Sequence, residues 1–317
     1  MKRAPVMVVL VGMAVVAALF LRADDQALAR SKRLPGLRAE LARLGPTNVA
    51  LPKPEPGDWL FLHDEPGQTF EQFLACGPTL PTDTRRTICL VTIGETPKEH
   101  ARVIETAGKY LGVVFGLPVR AEPALPVSVV EARFRRRNSF TQAEQWRCDH
   151  ILDNVLAPRL PRDATALLAL TSTDLYPSDD WNFVFGMASL QKRVGVYSLA
   201  RFGDPAKGGE EAKLCLRRTL MVAAHETGHM FSLKHCKHGP CCMNGSNSLA
   251  ESDRSTLAFC PECLVKLGHL SGTSAGGRLK AMSDFLRPLG FDKDVARIDA
   301  QMAALQAGPG GPAGTNP

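Results

Sequence analysis

His225-Glu226-Thr227-Gly228-His229-Met230-Phe231-Ser232-Leu233-Lys234-His235-Cys236-Lys237-His238-Gly239-Pro240-Cys241-Cys242-Met243 is the stretch that decides how the rest of this chain is read. On an α-helix, His225 and His229 project from one face, so two neutral imidazoles can reach one cation. Glu226 lies about 100° further around the helix, beside such a cation rather than on it. That is where a base must sit to take a proton from an activated water. A catalytic zinc commonly has three protein ligands and one open position, and His235 is the candidate for the third. A continuous helix would carry His235 about 240° away from His229. The helix must therefore stop soon after His229 and the chain must turn back. This reading makes His225, His229 and His235 the ligands of a catalytic zinc and Glu226 the general base of a hydrolase.

Five of the nine cysteines fall in or just after this stretch. Cys236, Cys241, Cys260 and Cys263 have the pairwise spacing of a closed tetrathiolate, so a second, structural zinc is expected. Disulfides are the competing reading. A bridge across Cys260-Pro-Glu-Cys263 would be short and strained, which favours zinc. Cys242 reads as a small buried apolar residue, His238 as a loop residue, and Met243 as a polarizable floor beneath the histidines.

Upstream, Glu211 to Phe231 reads as one long helix, with Leu216 and Leu220 continuing its apolar stripe. Buried strands are expected at Ile88–Ile93, Val127–Val130 and Thr165–Leu170, and a hairpin at Trp181–Met187 and Val194–Ala200. Pro97–Phe115 and Thr141–Leu156 have helical spacing. The alternation predicts an α/β (α+β) fold, a mixed twisted sheet packed on the active-site helix. Two short helices are expected near Gly277–Leu286 and Lys293–Leu305. The domain organisation reads as an export signal or signal anchor (1–29), a Pro-rich extension (30–87), a catalytic domain (88–270), C-terminal helices (271–306) and a disordered tail (307–317). Within the extension, Ser31–Leu44 reads as a short basic helix, Pro52–Asp58 as a stiff linker, and Thr69–Ala75 as a segment that docks on a neighbour through Phe70, Phe73 and Leu74.

Lys2 and Arg3 precede an apolar run from Val6 to Leu21, 16 residues long. This is short of the ~20 that span a bilayer comfortably, and with Ala27-Leu28-Ala29 downstream it has the form of an export signal. The catalytic part is then expected outside the membrane it crosses, touching that membrane only if the signal stays as an anchor. The net charge of +6 is scattered. Its densest cluster, Arg133 with Arg135, Arg136 and Arg137, reads as a solvated loop or strand edge. Three Trp and three Tyr give no stacking platform for bases, so no nucleic-acid partner is expected. The expected partner is a peptide or protein substrate, and the expected state a monomer.

With these motifs in view, H-E-x-x-H-x-x-S-x-x-H-C, then x₄-C-x-M, then C-x-x-C, resembles the archaemetzincins (archaelysins), a branch of the metzincin zinc peptidases. The resemblance covers about Ile88 to Leu267 and includes Thr173–Tyr176, Asn182–Gly186 and Val194–Phe202. Pro56–Trp59 and Gly67–Phe70 are similar to longer, animal-type members. It implies the same zinc ligands, the same base and the same four-cysteine site. Two departures stand out. Ser232 replaces the Gly expected at the turn, where a left-handed non-Gly residue costs roughly 1–2 kcal/mol, and the stretch from Met243 to Cys260 is about one residue short. An export signal is also unexpected in this family. Two other readings compete: a degenerate member that grips peptides without cutting them, and an interaction module built on the cysteines with the histidines incidental.

Overall fold

The computed structural model describes residues 6–307. Helices α1 (Val6–Leu44), α2 (Trp59–Leu62) and α3 (Phe70–Ala75) come first. Then follow β1 (Thr87–Thr92), α4 (Lys98–Phe115), β2 (Val119–Ala121), β3 (Arg135–Arg137), β4 (Glu144–Arg147), α5 (Cys148–His150), β5 (Ala164–Thr171), β6 (Asp174–Tyr176), β7 (Gly186–Ala188) and β8 (Val194–Ser198). Helices α6 (Gly209–Met230), α7 (Leu249–Arg254), α8 (Pro261–Ser271), α9 (Ala275–Leu286) and α10 (Asp292–Gln306) complete the described chain.

The larger sheet has strand order β2-β1-β5-β8-β7, parallel except for the antiparallel edge strand β7. A small sheet, β3-β4-β6, lies beside it. Strand β5 is buried along its whole length, which is why it reads as an unbroken apolar run rather than an alternating one. Its alternate residues serve two cores. Ala166, Leu168 and Leu170 pack with Tyr110, Leu111, Leu220 and Ala224 of α4 and α6, while Leu167 and Ala169 pack with Trp146, Ile151 and Val155. Helix α6 is thereby held against β7 and β8, and the sheet edge it meets becomes one wall of a cleft.

The mixed α/β architecture is the one expected, but several elements differ in detail. Val127–Val130 is not a strand: Pro126 brings no N–H, and Val127–Val129 close a 3₁₀ turn in which Val130 N–H donates to the Val127 carbonyl. The β2 edge lies earlier, at Val119–Ala121. Thr141–Leu156 is not one helix. Glu144–Arg147 form β4, paired with β3 and β6 and burying Trp146, and only then does the chain coil through α5 and a π-helical turn at Ile151–Leu156. Of the expected hairpin, only Gly186–Ala188 pairs with β8; within Trp181–Phe185 only Val184 makes a bridge, to Leu175. Helix α8 was not expected: Pro261 sits in its first turn, a position where a missing N–H does no harm.

The helix expected at Ser31–Leu44 is the C-terminal end of α1. Leu37 and Leu44 are buried there, against α8 and α10. As expected, Phe70 and Phe73 dock α3 on the main body. Arg135–Arg137 form an edge strand. Lys2 and Arg3 of the expected signal, and all of the expected tail except Ala307, lie outside the described residues. Among the described residues, no helix is long and apolar enough to cross a membrane.

Candidate active site

Helix α6 ends where the third histidine requires it to end. Leu233 N–H donates to the Gly228 carbonyl (3.0 Å) and Ser232 N–H to the His229 carbonyl (2.8 Å), and Ser232 is left-handed with φ +69°. This is a Schellman closure with Ser in the position that usually holds Gly. It reverses the chain and returns His235 to the face carrying His225 and His229. Their ring centroids form a triangle of 4.6, 4.9 and 5.2 Å.

Each imidazole is fixed through its Nδ1. His225 donates to the Cys242 carbonyl (2.8 Å) and His229 to the Leu233 carbonyl (2.7 Å). His235 donates to both carboxylate oxygens of Glu65 (2.9 and 3.0 Å). Nδ1–H donation leaves Nε2 as the free lone pair, the arrangement that orients histidine metal ligands. The Nε2 atoms of His225 and His229 face each other at 3.0 Å, two acceptors with no donor between them, which suits a shared cation. Burial first, then the neighbouring imidazoles, pushes His225 far below its usual range, and burial and His235 bring His229 to about 4. Both are therefore neutral near pH 7, as a ligand must be.

Glu226 is 5% exposed, with its carboxylate under edge strand β7. A Cβ added at Gly186 would stand 2.6 Å from Glu226 Oε1, so this glycine is the space the carboxylate occupies. Burial alone pushes the Glu226 carboxyl up to about 8. A divalent cation nearby is the kind of charge that would restore its ionised form. Gly228 makes similar room: a Cβ there would lie 2.5 Å from Met243 Sδ, so buried Met243 packs directly beneath the histidine-bearing turn. The cleft in front, about 400 Å³, is walled largely by apolar side chains, among them Trp59, Trp181, Phe183 and Met187.

The second cluster is Cys236, Cys241, Cys260 and Cys263, all buried, whose sulfurs lie within 4.8 Å of one another. Cys236 and Cys260 Sγ are 3.4 Å apart, well beyond a disulfide, and all nine cysteines are free. Backbone N–H groups point at the sulfurs: His238 N to Cys236 Sγ (3.4 Å), and Met243 N (3.5 Å) and Cys260 N (3.3 Å) to Cys241 Sγ. Such donors favour thiolates. Hydrogen bonds from its three cysteine neighbours lower the Cys236 thiol, while burial raises Cys241. Four buried sulfurs that share charge in this way suit a soft divalent cation, and zinc fits both donor sets. Cys242 stands outside the cluster, and His238 lies in the intervening loop.

The sequence reading missed Glu65, Gly186 and the cleft position of Trp59. Glu65 is 170 positions from His235 and carries no local motif. Burial opposes its ionisation, but the hydrogen bond and charge of His235 outweigh it and hold the carboxyl below its usual range.

A helix-borne His-Glu-x-x-His, with a third histidine brought to it by a sharp turn, is an arrangement suited to hydrolysis at a metal ion. The chain is similar to known proteins of one family. The model of Peptidase family M54 matches residues 160–269. Archaemetzincin-2 of Macaca fascicularis is 35% identical over 261 residues, covering 72% of this chain and 71% of that protein. Archaemetzincin of Pyrococcus furiosus is 32% identical over 193 residues, 95% of its own length but 59% of this chain. The crystal structure of archaemetzincin from Methanopyrus kandleri is similar at 28% identity with a TM-score of 0.48, covering 61% of this chain and 99% of that one. The chain belongs to the archaemetzincin family and is a zinc metallopeptidase.

Proposed function

We propose that this chain hydrolyses peptide bonds at a zinc held by His225, His229 and His235, with Glu226 as general base, and that a second, structural zinc is held by Cys236, Cys241, Cys260 and Cys263. The observation that carries this reading is the convergence of three Nδ1-anchored imidazoles beside a buried carboxylate in one open cleft. Zinc, when bound, supplies Lewis acidity toward water and the scissile carbonyl. Glu226 takes the water proton at its carboxylate and returns it to the leaving amine. Gly186 keeps that carboxylate free of the sheet edge, and the apolar cleft walls seat the peptide. The alternative, a peptide binder that does not cut, draws on Ser232 at the usual Gly position, and Ser232 takes up the left-handed turn conformation. Export through residues 1–29 and a monomeric state are further readings that rest on the sequence alone.

Glu226→Gln tests the mechanism. Digestion of a peptide library by the purified variant should fall by at least about 100-fold, the range expected for loss of a positioned base. Elemental analysis should still give two zinc ions per chain, because no ligand is touched. Undiminished digestion by Glu226→Gln would remove Glu226 from the role of base.

A further inference from the structure

We propose that Glu65, in the segment ahead of the catalytic domain, is the positioning residue for His235, so that the N-terminal extension is a working part of the metal centre. This rests on the reading of His225, His229 and His235 as zinc ligands.

His225 and His229 sit on a helix, and backbone carbonyls fix both. His235 lies beyond the helix, in a stretch without regular structure, and among the described residues its Nδ1 bonds only the Glu65 carboxylate. It is therefore the least constrained of the three by its own backbone. What constrains it comes from the extension. Glu65 is followed by Pro66, which restricts the backbone of the residue before it. Gly67 follows at φ +71°, and a Cβ there would meet Lys237 Cγ at 2.9 Å, so this turn lies directly on the His235 loop. Buried Gln68 donates to the Ser232 carbonyl (3.2 Å) and accepts from Lys234 N–H (3.2 Å), bracketing the turn that precedes His235. Buried Lys266 of α8 donates to the Gln68 backbone carbonyl and holds that residue in turn. Trp59 closes the other side, edge-on to the His235 ring at 4.9 Å.

A carboxylate accepting from Nδ1–H does two things for a ligand histidine. It fixes the ring so that Nε2 points at the ion, and it raises the basicity of Nε2. Partners of this kind change metal affinity by 10–100-fold when removed. The carbonyls that serve His225 and His229 cannot be removed by substitution, so Glu65 is the one such partner that a single change can delete.

The test uses the full chain carrying Glu65→Ala or Glu65→Gln, loaded with zinc, with His225→Ala alongside. Chelator competition should resolve two ions, the cysteine-held one serving as internal reference. Glu65→Ala should weaken the more easily removed ion by about 10–100-fold and leave the reference ion and the unfolding temperature of the metal-free protein close to wild type. Glu65→Gln keeps one acceptor oxygen and should fall in between, and it replaces the alanine variant if that one folds poorly. With cobalt in the histidine site, the visible spectrum should change in Glu65→Ala, a response that a purely structural contact would not give. If His225→Ala weakens the removable ion and Glu65→Ala leaves it within twofold of wild type, the proposal for Glu65 is overturned and the histidine site stands. If neither change affects it, both fall.

Discussion

At the scale of single residues, two positions repay substitution. Gly186 is defined by what it lacks, since any side chain there would enter the space of the Glu226 carboxylate. Gly186→Ala should keep both zinc ions and the fold but reduce peptide hydrolysis by about 100-fold, the scale of loss expected when a reacting group is misplaced by about 1 Å. Full turnover in Gly186→Ala, measured beside its zinc content, would show that the carboxylate works from somewhere else. Ser232 makes the opposite case, because its side chain is in use. Its hydroxyl accepts from Thr79 N–H (3.1 Å) and donates to the Leu190 carbonyl (3.1 Å), joining the extension to the β7–β8 connection. Glycine would relieve roughly 1–2 kcal/mol of left-handed strain but lose two hydrogen bonds worth about 0.5–1.5 kcal/mol each. Ser232→Gly should therefore stay within about 1 kcal/mol of wild type. The sequence alone gives the cost of the turn and has no view of these partners. Ser232→Ala keeps the strain without the bonds and should be clearly less stable than Ser232→Gly in denaturant titration. The reverse order would mean that left-handed strain at this position is not what separates the two variants.

At the scale of elements, the cysteine site joins the active-site turn to the C-terminal helices. Cys236 adjoins His235, while Cys260 caps α8 and Cys263 lies in its first turn. Helix α8 in turn packs on α1, α3 and α4. Cys263→Ala should therefore lower zinc content by one ion and reduce the unfolding temperature sharply, because structural zinc contributes folding free energy comparable to a domain's whole margin of about 5–15 kcal/mol. Cys242→Ala, also buried but outside the cluster, should keep both ions. Alkylation of the denatured native protein that leaves Cys236, Cys241, Cys260 and Cys263 unlabelled would contradict this and restore the disulfide reading. What could be read from sequence follows the same division. The grouping of His225, His229 and His235 was legible because they are close in the chain and their spacing is a helical period plus a turn. β5 and α4 were legible from composition and periodicity. Val127–Val130 misled because a β-branched run says nothing about the proline before it. Thr141–Leu156 misled because the helical spacing of Ile151, Leu152 and Val155 was carried back to Trp146, while β4 is set by partners at Asp174–Tyr176. Glu65, Gly186 and Trp59 acquire their meaning only from contacts across the fold, which no local pattern encodes.

At the scale of the molecule, the question is whether the folded protein needs residues 1–29. Helix α1 runs without a break through Ala27-Leu28-Ala29, the expected cleavage stretch, where Leu28 is 53% exposed. Further along the helix, Leu37 and Leu44 are buried, and Leu34 and Leu41 pack partly against the same core. Leu37 fits so closely on α8 that a Cβ at Gly268 would meet it at 2.8 Å. Arg30, just past the expected cut, already bonds the Pro81 carbonyl. A chain beginning at Arg30 should therefore unfold at nearly the same temperature as the full chain and bind the same two zinc ions. A chain beginning at Pro46 loses Leu37 and Leu44, each worth about 2–5 kcal/mol if truncated even to alanine, and should be grossly destabilised. In parallel, residues Met1 to Ala29 fused to a reporter should carry it across a membrane. Calorimetry on both truncations and fractionation of the reporter test the two halves of this reading separately. If the Arg30 chain is as unstable as the Pro46 chain, residues 1–29 are part of the fold and cannot be shed as a signal. If the Arg30 chain is stable but the reporter stays in the cytoplasm, the export reading fails, and with it the oxidising surroundings that would favour disulfides among the four clustered cysteines.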